Sequence, residues 1–158
     1  MEHKEVHKLI VDNDEFFPQV VALLEKGQRV TIPVKGYSML PFIRGDRDLV
    51  ELVAADPAGV QRDDIVLFHY QGRWILHRVL HVEGNMSTIQ GDGVWRGREV
   101  CPVDQIHGKV SRILKKGTLP MDPYAADMLR KVHAWQRLGW LRRYILALYR
   151  RIFRIQVG

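Results

Sequence analysis

Apolar residues recur at helical spacing near the start of the chain and at strand spacing through its middle. Phe16, Phe17, Val20, Val21, Leu23 and Leu24 give residues 15–26 a broad apolar face, which predicts a short helix. Asp14 stands where an N-cap belongs, and Gly27 follows the last turn as a C-cap. Residues 29–34 alternate and are β-branched, the signature of a strand. Further short strands are predicted over 49–53, 64–70, 73–81, 87–90 and 108–114, divided by turn signals such as Asp56-Pro57, Glu83-Gly84-Asn85 and Gly91-Asp92-Gly93. Gln71-Gly72, set between two apolar runs, predicts a hairpin turn, because glycine adopts positive φ at little cost. The pattern predicts a mainly β fold of bent antiparallel sheets, with a short N-terminal helix and a helical C-terminal tail.

Four segments follow from this pattern: an N-terminal helical segment over 1–29, a β-domain over 30–114, a linker over 115–123 and a tail over 124–158. Gly117, Pro120 and Pro123 mark the linker. The tail is expected to be helical with a break near Gly139. On a helical projection Leu138, Leu141, Ile145, Leu148, Tyr149 and Ile152 share one face, with Arg143, Arg150 and Arg154 opposite.

Charge changes the picture only in the tail. The net charge of the 158 residues is +6. The tail carries Arg130, Lys131, Arg137, Arg142, Arg143, Arg150, Arg151 and Arg154 against one acid, Asp127, so the rest of the chain is close to neutral. A basic protein by overall charge is therefore not a nucleic-acid binder by that fact, and no nucleic-acid partner is expected. The polar start lacks the apolar core of a secretory signal, and no stretch is long and apolar enough to span a bilayer. The single cysteine, Cys101, excludes an intrachain disulfide and reads as a buried apolar residue. These features together suggest a cytoplasmic protein, placed at the membrane periphery if its tail meets one. A basic amphipathic helix bearing Trp135, Trp140, Tyr144, Tyr149 and Phe153 suits an anionic membrane surface; equally, it suits a helix packed on the body or on another subunit.

Three segments carry candidate chemistry. The first is Gly36-Tyr37-Ser38-Met39-Leu40-Pro41-Phe42-Ile43-Arg44-Gly45-Asp46, the second Trp74-Ile75-Leu76-His77-Arg78-Val79, and the third Gln90-Gly91-Asp92-Gly93. In this order they resemble the signal peptidase I family and its relatives, the self-cleaving repressor peptidases. The resemblance covers residues 30–114, and its Ser-Met-x-Pro-x-Ile-x-x-Gly-Asp core is long and ordered. It implies that Ser38 is a nucleophile. It also implies that His77, followed by Arg78, is the base, as in the archaeal and endoplasmic-reticulum branch, where other members use lysine. Asp92, in the later Gly-Asp motif, is then the acid that completes the site. Gly93 departs from the residue usual there, and the family's transmembrane anchor is absent, so secretory preproteins are not the implied substrate.

The chemistry of these residue types agrees. A serine hydroxyl needs a positioned base to take its proton. A neutral imidazole serves near pH 7, because its unperturbed pKa is about 6.5. A carboxylate on the other ring nitrogen fixes the tautomer and stabilises the imidazolium, and backbone N–H groups near Ser38 are candidate oxyanion donors. The expected enzyme is thus a serine endopeptidase that cuts a peptide or protein precursor, with no metal or cofactor. The rival is an inactive β-module of the same fold that binds a peptide or membrane partner. Peptidases of this type pair an extended substrate with a strand edge, which makes Val34, Gly36, Tyr37 and Met39 the candidate substrate contacts. Pro41, Gly45, Asp46 and Arg78 are read as structural, with Asp46 bonding turn backbone near Ser38. Lys35 and Lys109 are the alternative bases.

Overall fold

The computed structural model describes residues 13–155, and side chains from Asn13 to Ile152. The first helix, α1, spans Asn13–Glu25; the expected helical segment before Asn13 lies outside the described residues. Its C-terminus is closed as the sequence suggested. Gly27 has φ 78°, its N–H donates to Leu24 O at 2.8 Å, and Gln28 N–H donates to Leu23 O at 3.1 Å. This paired arrangement satisfies two orphan carbonyls of the last turn.

Seven strands follow: β1 (Val30–Pro33), β2 (Leu49–Ala54), β3 (Ile65–Tyr70), β4 (Arg73–Glu83), β5 (Met86–Gln90), β6 (Glu99–Pro102) and β7 (Ile106–Leu114). They form one sheet in the order β1-β2-β7-β3-β4-β5-β6, antiparallel at every pairing. The fold is mainly β, as the alternation implied. Gln71 and Gly72, with φ 48° and 75°, make the two-residue turn joining β3 to β4. Register shifts at Glu51/Leu52, Leu67/Phe68 and Val79/His81 bend the sheet. Strand β6 was not expected: only Val100 and Cys101 in it are apolar, and it ends on Pro102, which has no N–H for a ladder.

Both faces of the sheet centre are covered, so β3 reads as an unbroken apolar run rather than an alternation. Ile65 and Leu67 join one core with Leu24 of α1, Ile32 and Val110. Val66 and Phe68 join the other with Val79, Ile89 and Cys101. Burial raises the Cys101 thiol above its ordinary pKa, as expected of an inert core residue.

Residues 115–123 are not a free linker. Met121 forms a bridge with Ile113 through two 2.9 Å backbone bonds. Beyond it, the Tyr124 hydroxyl donates to Val110 O at 2.6 Å and accepts from Ile65 N–H at 3.2 Å. Helix α2 (Ala126–Arg137) then buries Met128, Val132 and Trp135 and sets His133 Nε2 2.9 Å from Asp63 Oδ2. The expected break occurs at Gly139, φ 52°, in a short 3-10 turn before helix α3 (Arg142–Ile155). Leu146 of α3 packs with Leu40 and Trp135, and Tyr149 joins from the edge. The apolar face expected of the tail is thus split. The row Arg142, Leu146 and Tyr149 faces the body, whereas Leu138, Leu141, Ile145, Leu148 and Ile152 are exposed.

Candidate active site

Ser38 sits in the turn that leaves β1. Val34 extends the pairing of that strand: its N–H donates to Asp48 O at 3.1 Å, and its carbonyl accepts from Asp46 N–H at 2.9 Å. The returning segment lies so close that a Cβ on Gly45 would overlap Gly36 O and lie 2.5 Å from Gly36 N. Two backbones in contact leave no room for a side chain, which accounts for Gly45. Asp46, expected to bond turn backbone here, does so through its own N–H; its side chain is exposed and its backbone in the left-handed region at φ 63°. The bracing carboxylate is Asp48, which is buried and accepts from Arg44 N–H at 2.8 Å and Arg47 Nε at 2.7 Å. Burial pushes the Asp48 pKa up, but the hydrogen bonds from Arg47 and the Arg44 amide outweigh it, and the group titrates below the usual carboxylate range.

Of the four expected substrate contacts, Val34 and Met39 are corrected: both side chains are buried in the core beneath the sheet. Their apolar character belongs to packing, and it fixes the turn from below. Gly36 and Tyr37 are exposed, and Ser38 is half-buried. Leu40 N–H is committed to Tyr37 O at 3.2 Å, and Ile43 N–H to Met39 O at 3.0 Å. The Leu40–Pro41 peptide is cis, with Pro41 half-buried in this turn. Among the described residues, no backbone acceptor takes the Ser38 or Met39 N–H.

His77 lies on β4, opposite Val66 of β3, and is buried. Its Nδ1 is 3.2 Å from Glu99 Oε2. Its Nε2 faces Gly91, where a Cβ would come within 2.9 Å of that nitrogen and would collide with the Ser38 carbonyl oxygen. Gly93 N–H donates to the same carbonyl at 2.7 Å. The Gly91–Gly93 loop therefore clasps the Ser38 turn against the imidazole, and Gly91 is the spacer whose missing side chain lets them meet. Among the described residues, no hydrogen bond joins Ser38 Oγ to His77.

Asp92 is not the partner of His77. Successive residues of a strand point to opposite faces, so Arg78 turns away from the His77 side and takes Asp92 with it. Arg78 Nε and Nη2 each lie 2.9 Å from an Asp92 oxygen, in a bidentate pair that excludes solvent. Arg78 Nη1 also donates to Asp63 O at 3.0 Å. Burial lowers the Arg78 pKa, but the Asp92 charge and hydrogen bonds more than reverse this, and the net shift is upward. The Asp92 carbonyl accepts from Trp135 Nε1 at 2.7 Å. Asp92 thus ties β4 and α2 to the loop that clasps Ser38. The acid that meets His77 is Glu99, on the strand the sequence pattern did not show.

Neither lysine bonds the imidazole among the described residues. Lys109 is 2.8 Å from Asp64 and lies over the Tyr124 ring at 4.6 Å, and Lys35 is exposed. Two surface depressions, one lined by Val60, Asp64 and Lys109 and one by Arg62, His133 and Arg137, include neither Ser38 nor His77. What the arrangement offers is a hydroxyl in an exposed turn, an imidazole beside that turn with a carboxylate on its far nitrogen, and two uncommitted amides next to the hydroxyl. No family model matches this chain, and no curated protein matches it.

Proposed function

We propose that the protein is a serine endopeptidase that cleaves a peptide or protein precursor, with Ser38 as nucleophile and His77 as general base. The observation that supports this reading is the meeting of the Ser38 turn and the His77 imidazole across Gly91, with Glu99 on Nδ1. In this reading Glu99 holds the tautomer that leaves Nε2 free to accept a proton, and it stabilises the imidazolium that forms. Rotation of the Ser38 side chain toward Nε2 on substrate binding closes the dyad; such bonds are often long in unliganded sites. The hydroxyl oxygen attacks the scissile carbonyl carbon and its proton passes to His77 Nε2. The oxyanion accepts from the Ser38 and Met39 amides. The imidazolium returns the proton to the leaving amine, and water activated by His77 then hydrolyses the acyl-enzyme.

The substrate chemistry follows from the edge. β1 is the terminal strand of the sheet. Val34 turns both backbone groups inward, so the Pro33 carbonyl and the Lys35 N–H and carbonyl point outward by the alternation of an antiparallel ladder. An extended peptide pairing there runs directly into the Ser38 turn, a recognition mode that uses main-chain bonds. The same likeness of pattern that points to Ser38 and His77 also supports a peptidase of the signal-peptidase and repressor-peptidase type.

One observation favours an inactive peptide-binding module of the same fold: the absence of a Ser38–His77 hydrogen bond among the described residues. Incubation with a diverse peptide library, read by mass spectrometry, separates the two. The peptidase reading expects new termini with wild type and none with Ser38→Ala. The module reading expects intact peptides retained by both proteins.

A further inference from the structure

Helix α3 turns its more apolar side outward. Ile145, Leu148 and Ile152 of α3 succeed one another at intervals of three and four residues, which makes one stripe along the helix, and Leu138 and Leu141 in the turn before it are exposed as well. They are exposed although the helix is docked, with Leu148 at 60% and Ile152 at 48%. Trp140, at 59%, and Tyr144, at 55%, widen the stripe at its N-terminal end. Trp95 of the body joins Trp140 and Tyr144 around one guanidinium: Arg143 lies 5.6 Å from the Trp95 ring, 5.4 Å from Trp140 and 4.5 Å from Tyr144. An apolar stripe of this extent on a solvated face marks a surface that something covers.

Its charge identifies what. Arg151 borders the stripe, Arg143 and Arg150 occupy the polar face opposite it, all three are exposed, and no acidic residue occurs in the sequence after Asp127. A second copy meeting this face on a two-fold axis brings two basic helices together, with no carboxylate after Asp127 to offset their charge. An anionic lipid surface meets both needs: acyl chains cover the leucine and isoleucine side chains, headgroups pair with the guanidinium groups, and Trp and Tyr sit at the boundary.

We infer that the outer face of α3, with Trp140, Tyr144 and Trp95, is a docking site for an anionic phospholipid surface. The helix lies in the plane of the interface rather than crossing it, as no helix among the described residues is long and apolar enough to span a membrane. Trp95 lies between Gly91 and Glu99 in the chain, and Leu146 of α3 packs on Leu40, two residues after Ser38. The inference stands apart from the peptidase reading, because its test reads binding and not cleavage.

The test uses the full chain and sedimenting vesicles of phosphatidylcholine, with or without phosphatidylserine, at low and at physiological salt. Wild type is expected to bind the anionic vesicles at least about tenfold more tightly than the zwitterionic ones, with the preference shrinking as salt rises. Leu148→Glu and the pair Arg143→Glu, Arg150→Glu are each expected to reduce that binding about tenfold or more. These side chains are exposed, so far-UV circular dichroism should match wild type; Ile145→Gln gives a second apolar variant should Leu148→Glu not fold. Equal retention on both vesicle types, or no binding by folded wild type, overturns the inference. So does a wild-type dimer in sedimentation velocity that Leu148→Glu converts to monomer, since the face would then belong to a second copy.

Discussion

His77 on β4 and Glu99 on β6 meet at 3.2 Å through Nδ1 and Oε2, although β5 lies between their strands in the sheet. Next-nearest strands lie about 10 Å apart, a gap that a histidine and a glutamate on one face span. Curvature of the sheet carries the loop after β5 back onto the turn after β1, where Gly93 N–H reaches Ser38 O. The candidate site is thus a product of sheet curvature more than of any one motif.

If Glu99 orients the base, Glu99→Gln keeps the shape but loses the charge that favours the working tautomer and the imidazolium. Acylation by a serine-directed probe should slow about 10²- to 10⁴-fold, as for loss of the orienting acid in other serine peptidases. Stopped-time labelling read by mass spectrometry measures this, and a rate within twofold of wild type removes Glu99 from the mechanism.

Asp92 should act through stability. Asp92→Ala leaves the buried Arg78 guanidinium without its counter-charge, and the expected loss is about 3–5 kcal/mol in urea unfolding. Replacing both partners by apolar residues, Arg78→Met with Asp92→Leu, should cost much less than the sum of the single changes, because no uncompensated charge remains. Additive losses would show that the pair is not coupled.

Gly91→Ala is expected to separate the two halves of the site. The new methyl collides with the Ser38 carbonyl and presses on His77 Nε2, so one of them moves. A displacement of about 1 Å can cost on the order of 10²-fold in rate. Probe labelling should fall by roughly that factor while far-UV circular dichroism stays close to wild type. Unchanged labelling would mean that the turn and the imidazole do not work together.

Asp48 sets an acid limit on stability. Its pKa in the folded chain lies below the usual carboxylate value, so the ionised group favours the folded state above the unfolded pKa of about 3.9. That contribution is lost as pH falls through the lower folded value. Unfolding free energy should therefore decline between about pH 5 and pH 2, and Asp48→Asn should flatten part of that slope while lowering stability near pH 7. An identical slope in the variant would assign the acid sensitivity elsewhere.

Much of the fold was legible because it rests on local pattern. The Gln71-Gly72 turn, the Gly27 cap and the break at Gly139 are each fixed by glycines at positive φ, and the alternation around them gave six of the seven strands within a few residues. An ordered motif singled out Ser38 and His77, and the structure brings the Ser38 turn and the imidazole together across Gly91. Glu99 was missed because its strand was missed: four residues ending on Pro102 carry too little alternation to register. Asp92 was misassigned for a related reason. Chain order places it after His77, but strand alternation pairs it with the next residue, Arg78, and nothing local distinguishes the two. Val34 and Met39 were expected as substrate contacts on a strand edge beside Ser38, whereas burial in a core shared with α1 and β7 is a long-range property. The outward turn of the tail's apolar stripe was likewise invisible, since periodicity shows that a face exists and not which way it points.

The most direct test of the central claim is labelling of the full chain with a fluorophosphonate, read by intact mass and peptide mapping, beside Ser38→Ala and His77→Ala. The account predicts one adduct per wild-type chain, mapped to Ser38, and none on either variant while both remain folded. Folded wild type that takes up no probe, or an adduct on another residue that persists in Ser38→Ala, would contradict it.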